Sequence, residues 1–202
     1  MALVIKGSSS GQVTVDVPAA AGTNTLTIPA STGEMLTTVS TSSNVIPTIN
    51  LGTTVATTSG TAIDFTSIPS GIKKLTMLFN QVSCNGTAPR LLQIGTSSGL
   101  VTSGYLSSSA YAGPATAGGQ STAGFIMGIG GAAADKTVGI ATIQTIGSNT
   151  WCMSSVTGDG SASYIKMGGG SITLGGVLDR VRLSTTSGAT FDHGSVNIAW
   201  EY

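Results

Sequence analysis

The sequence predicts an all-β protein, in which a short N-terminal β module precedes an antiparallel β-sandwich of jelly-roll-like form. Hydrophobic residues make up 40% of the chain and charged residues only 8%, a balance that excludes a disordered chain. Glycine accounts for 29 of the 202 residues, and Val, Ile and Thr punctuated by Gly favour strands and turns over helices. In several segments apolar residues occupy every second position, which is the period of a strand.

The C-terminal end shows this alternation most clearly. Val181 and Leu183 alternate with Arg residues, and within residues 195–202 the large apolar side chains hold every even position. Successive side chains of a strand point to opposite faces, so each segment is predicted to have one buried face and one solvent-exposed face. Residues 191–194 are predicted to form a turn between the two strands. We expect the last strand, which carries Trp200, to close the core.

Short strands and turns also fill the middle of the chain. Strands are predicted at residues 62–65, 75–79, 90–95, 125–129, 138–146 and 151–156. Residues 163–167 are either another strand or a loop wall, and residues 172–174 lead into the C-terminal pair. The three glycines at 168–170 are predicted to break the chain between these two segments. Residues 96–124, rich in Ser and Gly, are predicted to form a long loop. With the C-terminal pair, about eight to ten strands are expected, as in a β-sandwich or jelly roll.

Residues 1–40 form a separate unit with an alternation of its own. The residues predicted to face inward, and so to serve oligomerisation or docking, are Val13, Val15, Val17, Leu26 and Ile28. Such short strands cannot bury enough surface alone, so the unit needs copies of itself or a docking surface on another protein. We predict a homotrimer. Residues 41–50 are predicted to be a Ser/Thr-rich linker to the sandwich domain at 51–202.

The N-terminal unit resembles a module of tailed bacteriophages. Residues 11–33 contain a Gly-Thr-Asn-Thr-Leu-Thr run, then Pro-Ala and Thr-Gly. This pattern is similar to a short β module that precedes a larger domain in tail fibres and related virion proteins. In that module a small residue usually follows the last Gly, whereas this chain has Glu34.

The rest of the chain resembles a C-terminal domain found on many phage tail and structural proteins. The segments that carry this resemblance, which covers nearly all of residues 60–202, are 68–80, 92–95, 147–151 and 178–183, in this order. The resemblance implies a virion component. Residues 1–40 are expected to bind another virion protein, and the chain is expected in the host cytoplasm during assembly. The leading hypothesis is a tail fibre or receptor-binding appendage for host adhesion. The alternative is a capsid decoration or head-fibre protein on the capsid surface.

Several other classes of function are not expected. The eight Lys and Arg residues are scattered, and no basic stripe follows a phosphate backbone, so nucleic acid is not a predicted partner. No apolar run approaches the roughly 20 residues that span a bilayer. The apolar patch within residues 1–6 is too short for the core of a signal peptide.

No enzyme, metal or cofactor is predicted. Glycoside cleavage needs two carboxylates a few ångströms apart, and the eight acidic residues form no close pair in sequence. His193 is interpreted as a turn residue capping the last hairpin, because a catalytic His-Asp pair comes from separate chain positions with a nucleophile in reach. One His and two distant Cys do not form a metal site. The glycines at 128–131 lack the Lys-Ser/Thr continuation of a phosphate loop.

Two sets of residues leave alternatives open. Cys84 and Cys152 are interpreted as two buried thiols, with a disulfide as the alternative in an oxidising compartment. Asp179, Arg180 and Arg182 favour a cross-strand or intersubunit ion pair over an anion site.

Four aromatic residues are candidates for binding a host surface glycan or protein: Tyr105, Tyr111, Trp151 and Tyr164. Sugars stack on aromatic faces and bond to nearby hydroxyls and amides, both of which this chain offers. Trp151 is alternatively a core residue. Tyr105 and Tyr111 lie in the Gly/Ser-rich stretch, where they bind a ligand or seal a trimer interface.

Overall fold

The chain divides into two units, Met1–Val45 and Ile46–Tyr202, and the division falls within the predicted linker. A computed structural model describes residues 3–6, 10–15, 49–114, 116–128 and 132–202. The described residues form antiparallel strands and contain no helix, so the predicted all-β class is confirmed.

The first unit contains an antiparallel strand pair. Strand β1 (Leu3–Lys6) pairs with β2 (Gln12–Val15), with Val13 opposite Ile5. Of the five inward-facing residues predicted for this unit, Val13 and Val15 therefore lie in β2. The other three, Val17, Leu26 and Ile28, lie outside the described residues.

The second unit is a sandwich of two antiparallel sheets. The strands that form the larger, nine-stranded sheet are β3 (Asn50–Leu51), β4 (Val55–Ala56), β6 (Lys74–Cys84), β9 (Leu106–Ala112), β10 (Ala117–Ser121), β12 (Thr137–Gly147), β13 (Thr150–Asp159), β14 (Ile165–Thr173) and β16 (Phe191–Glu201). Its main path runs β10-β9-β14-β13-β12-β6-β16-β3, and β4 also pairs with β16.

A smaller, five-stranded sheet covers one face of the large one. Its strands are β5 (Ala62–Phe65), β7 (Arg90–Thr96), β8 (Gly99–Leu100), β11 (Phe125–Met127) and β15 (Arg180–Thr185). Their order is β11-β7-β15-β5, and β8 pairs with the last two residues of β7. The sandwich prediction is thus confirmed, while the finer jelly-roll connectivity stays a prediction.

The core lies between the two sheets. Fully buried side chains from both inner faces form one hydrophobic cluster, to which Leu75, Met77 and Ile143 contribute from the large sheet and Leu92, Ile94, Val181 and Leu183 from the small one. Burial of apolar surface stabilises such a core by roughly 25 cal/mol per Å². The faces predicted for β15 are correct, since its Arg side chains are half-exposed and its apolar ones buried.

The last strand follows the predicted alternation but begins earlier than expected. Val196 and Ile198 are buried, and Trp200 is partly buried against the core. The turn predicted at 191–194 is wrong, because these residues already belong to β16, which pairs with β6 through two register shifts. The turn-like sequence instead forms a β-bulge within β16, where Gly194 adopts a φ of 92°. Nor do β15 and β16 form a hairpin, because they lie in different sheets.

Two Gly- and Ser-rich segments are strands despite their composition. The loop predicted at 96–124 contains β9 and β10, at the edge of the large sheet. The glycines predicted to break the chain at 168–170 lie inside β14. A Cβ on Gly170 would lie 2.5 Å from the Leu106 carbonyl oxygen and 3.0 Å from Cδ1 of Phe125. Close packing of neighbouring backbone and of β11 therefore requires glycine here.

Candidate interaction surface

An apolar row crosses the outward face of the large sheet. In the strand register, Leu78 lies opposite Ile140, Ile140 opposite Val156, and Val156 opposite Met167, which in turn lies opposite Ala110. These five residues, one from each of five neighbouring strands, are named the outer apolar row. Each of them is next to a buried residue on its own strand, so its side chain points away from the core; these buried neighbours are Met77, Ala141, Ser155, Lys166 and Ser109.

The large side chains of this row are unusually exposed for neighbouring apolar residues. The exposed fractions are 36% for Leu78, 48% for Ile140, 61% for Val156 and 45% for Met167. Single apolar residues are normal on a protein surface, whereas a contiguous apolar patch marks an interaction site. Neighbouring strands lie about 4.8 Å apart, so the row extends without interruption across about 20 Å.

The rows beside it carry no charge. On one side lie hydroxyl and glycine positions, namely Thr76, Thr142, Ser154, Gly169 and Ser108. On the other lie Val138, Gly158, Ile165 and Ala112. An ion pair of 2.8 Å between Lys74 and Glu201 is found only at the end of this face. The centre of the face therefore combines apolar side chains with hydroxyls.

The inner side of the same region is polar. Ser107, Ser109, Ser155 and Thr157 all face inward and are buried. Ser109 and Ser155 each have a buried side-chain oxygen without a hydrogen-bond partner. At this end of the large sheet the usual distribution is therefore inverted, with polar groups inside and large apolar groups outside.

A buried ionic cluster completes the inverted region. The Lys166 Nζ lies 3.2 Å from Oδ2 of Asp135 and 3.4 Å from Oδ2 of Asp159, and the three side chains are 6%, 6% and 0% exposed. Arg90 donates from Nη2 to the Asp135 carbonyl oxygen at 3.0 Å. The cluster joins β13, β14 and β7 to the segment before β12. Buried charges are tolerated when paired in this way.

The charge of Asp159 is held by its hydrogen bonds. Burial alone would raise the pKa of this carboxyl, but the backbone N–H and hydroxyl of Ser161, the Asp135 side chain and the Lys166 charge outweigh it. The pKa of Asp159 is therefore lowered from its usual 3.8. Sequence reasoning missed this cluster, because its members come from separate segments, and the alternation around Lys166 would turn that side chain towards water.

Of the four predicted binding residues, two belong to the core. Tyr105 is fully buried, and its hydroxyl accepts from the Ile94 N–H at 2.8 Å. Burial raises the pKa of Tyr105 to about 12, although the backbone hydrogen bond with Ile94 acts in the opposite direction. Trp151 is 4% exposed within the hydrophobic cluster. This placement corrects the binding prediction for both, since neither ring is accessible, and agrees with the alternative that Trp151 is a core residue.

The other two predicted binding residues lie together near the surface. The rings of Tyr111 and Tyr164 pack edge to face, with centroids 5.2 Å apart and planes at 83°. Both are partly exposed. Tyr111 lies on β9 and Tyr164 directly precedes β14, so pairing of these strands brings the rings together.

The outward face of the small sheet is charged. Arg182 and Asp64 are cross-strand partners joined by two hydrogen bonds of 2.7 Å. Arg180 pairs with Asp179 at 2.9 Å. Of the three residues for which the sequence predicts a cross-strand or intersubunit ion pair, Arg182 forms a cross-strand pair with Asp64, whereas Arg180 pairs with its chain neighbour Asp179.

The remaining candidates form no site among the described residues. Cys84 is buried and Cys152 half-buried, both as free thiols. His193 is exposed, with Nδ1 3.0 Å from the Gln81 carbonyl oxygen. In the described part of the chain, no cluster of three or more His, Cys, Asp or Glu could hold a metal ion. The same residues include no helix long and apolar enough to cross a membrane.

Comparison with known proteins identifies no relative of this chain. No protein-family model, curated protein or solved structure matches the chain.

Proposed function

We propose that this chain is a non-enzymatic structural component of a bacteriophage virion, a homotrimeric tail fibre or receptor-binding appendage. In this proposal residues 1–40 attach the chain to another virion protein, and the sandwich is displayed for host adhesion. The resemblances of the two parts of the chain to phage proteins suggest this setting.

The observation that carries the proposal is the uncharged outward face of the large sheet. Monomeric soluble proteins rarely expose a contiguous apolar row across five strands. In a component that assembles into a particle, burial of such a face contributes favourably to association. The charged outward face of the small sheet suits the side that stays in water.

The non-enzymatic part of the proposal rests on the acidic residues. The structure brings Asp135 and Asp159 together, but both carboxyls are buried and bound to Lys166. A polysaccharide has no access to them there. Incubation with host polysaccharide should therefore release no reducing ends, and their release would contradict this part of the proposal.

The receptor contact proposed for the sandwich is the pair formed by Tyr111 and Tyr164. Their half-exposed rings offer apolar faces beside the Ser- and Gly-rich strands β9 and β10, which suits a sugar ligand. The double variant Tyr111→Ala/Tyr164→Ala should weaken binding to host cells by at least tenfold. Tyr202→Ala, at an exposed ring elsewhere, is the matched control and should bind as the unmodified protein does.

The location of the protein in the particle tests the central claim. Antibodies raised against the sandwich should label the tail in electron micrographs of intact virions. Label over the capsid would favour the second candidate, a capsid decoration or head-fibre protein, for which the apolar face is equally suited. Absence of label from both, with the protein found only in the soluble lysate, would contradict both candidates.

A further inference from the structure

We propose that the outer apolar row is the contact surface between copies of this chain in the homotrimer, an inference that rests on the proposed function. The face is thus occupied by the same faces of the other two copies, arranged around a threefold axis. Three features of the described residues carry this inference: the inversion of polarity, the lack of charge and the size of the face.

The inversion of polarity shows that this end of the large sheet has a second apolar side. In β13, Trp151 and Met153 face inward, but further along the strand Ser155 and Thr157 face inward and Val156 outward. The same holds in β14, where Lys166 is buried between the exposed Ile165 and Met167. Burial on the outer side would place these apolar side chains in a second core.

The lack of charge suits contact between identical surfaces. Around a threefold axis the three copies bring the same residues together, so a charged side chain near that axis would meet like charges. The outer apolar row and the rows on either side contain no charged residue. Hydroxyls of residues such as Thr142 and Ser154 can donate to and accept from their copies equally well.

The size of the face fits a stable subunit contact. Strands β6, β12, β13, β14 and β9 are seven to eleven residues long. With strands about 4.8 Å apart and a rise of about 3.3 Å per residue, the face measures about 24 Å by 30 Å, or about 700 Å². A standard protein–protein interface buries about 800 Å² on each partner.

Light scattering on the full-length protein at micromolar concentration tests the inference. Three copies of the 20.0 kDa chain have a mass of about 60 kDa. Val156→Lys places a charge in the centre of the row and should reduce the mass to that of one chain, while the β-type circular dichroism spectrum stays unchanged. Ile140→Lys is a second variant with the same expected result.

Val177→Lys is the matched control. Val177 is 57% exposed, close to the 61% of Val156, but lies outside the strands of the large sheet. This variant should keep the mass of the unmodified protein. If Val177→Lys loses the assembly as Val156→Lys does, or if neither variant loses it, the assignment of the contact to this face is wrong.

Oxidation of Met167 by hydrogen peroxide, followed by peptide mass spectrometry, identifies other occupants. In the assembly Met167 should oxidise at least tenfold more slowly than in the Val156→Lys variant. An unmodified chain of 20 kDa with Met167 protected would mean that residues 1–45 of the same chain cover the face. A 20 kDa chain with Met167 readily oxidised would mean that the face is open. Either result overturns the inference and the homotrimeric state, yet the proposed role as a structural component of the virion would survive if that monomer were found in virions.

Discussion

The outward faces of the two sheets differ in what they present to their surroundings. The small sheet carries its ion pair between Arg182 and Asp64 on the outside, and its inner face is predominantly apolar. The large sheet buries the ion pairs of Lys166 and leaves an apolar row outside. Burial of an ion pair costs desolvation free energy, whereas an exposed pair costs little. The small sheet therefore presents charged groups to water, and the large sheet presents the apolar row for which we propose contact with a partner.

The largest effect expected from this contrast comes from the buried cluster. Lys166→Met leaves the carboxyls of Asp135 and Asp159 buried beside each other without their cation. Removal of one member of a buried ion pair costs about 3–5 kcal/mol, so we expect the free energy of unfolding at pH 7 to fall by that amount. Urea denaturation at fixed protein concentration, followed by tryptophan fluorescence, measures it.

The control for this variant is a more exposed pair of the same sheet. Lys74 and Glu201 are 33% and 27% exposed. Lys74→Met should cost no more than about 1 kcal/mol. Equal losses in the two Met variants would mean that burial does not distinguish the pairs.

Substitution of two neighbouring glycines of β14 tests which face of the large sheet is packed and which is open. An added Cβ at Gly170 meets backbone and Phe125 at 2.5 to 3.0 Å, whereas at Gly169 it meets the Met153 carbonyl oxygen at 3.7 Å. Overpacking of this kind costs about 1–3 kcal/mol. We therefore expect Gly170→Ala to lower the free energy of unfolding by this amount and Gly169→Ala to change it by no more than about 0.5 kcal/mol. Thermal denaturation of both variants measures the difference, and a larger loss at Gly169 would reverse the assigned faces.

Acid should weaken the contribution of Asp159 to the free energy of unfolding. The pKa of Asp159 is lowered from 3.8 in the folded chain, so the unfolded chain binds a proton first as the pH falls. The stabilisation is fully present above about pH 4 and is lost as the pH falls through the folded pKa. Asp159→Asn should therefore reduce the acid dependence of unfolding below pH 4 by up to about 1.4 kcal/mol per pH unit. An unchanged slope in urea titrations between pH 2 and 5 would argue against a lowered pKa.

Sequence alternation predicts faces well wherever one side of a strand meets water. In β15, Val181 and Leu183 are buried and their Arg neighbours half-exposed, as the pattern predicts. The same rule assigns β14 incorrectly, because the apolar side chains of Ile165 and Met167 are outside and Lys166 is inside. Alternation alone gives two faces and does not say which faces the core. Alternation therefore cannot assign the inner face of a strand in a sheet that has apolar groups on both sides.

Composition misleads in the strands that pack most closely. The Ser-rich β9 and the glycines of β14 lack the β-branched residues on which strand prediction depends. Tertiary packing requires a small residue at such positions. At Gly170, for example, an added Cβ would lie 3.0 Å from Phe125. Of the predicted binding residues, the sequence correctly raised a core alternative for Trp151. The burial of Tyr105 depends on tertiary contacts with Ile94 and Phe125, which the local pattern does not show.

The smallest expected effect lies on the outward face of the small sheet. Arg182 and Asp64 form two hydrogen bonds of 2.7 Å, with side chains 37% and 43% exposed. Solvent screens a pair this exposed, so a double-mutant cycle with Arg182→Ala and Asp64→Ala should give a coupling free energy of about 0.2–1 kcal/mol. In 1 M salt the screening length falls to about 3 Å, and the coupling should decrease further.

The same pair also tests whether the small sheet stays outside the assembly. Because its face is hydrated whether or not copies associate, Arg182→Ala should leave the mass measured by light scattering unchanged. A coupling above about 2 kcal/mol that does not respond to salt would show that Arg182 and Asp64 are buried against a partner. Both sheets would then face partners, and the contrast between a wet face and an assembly face would no longer hold.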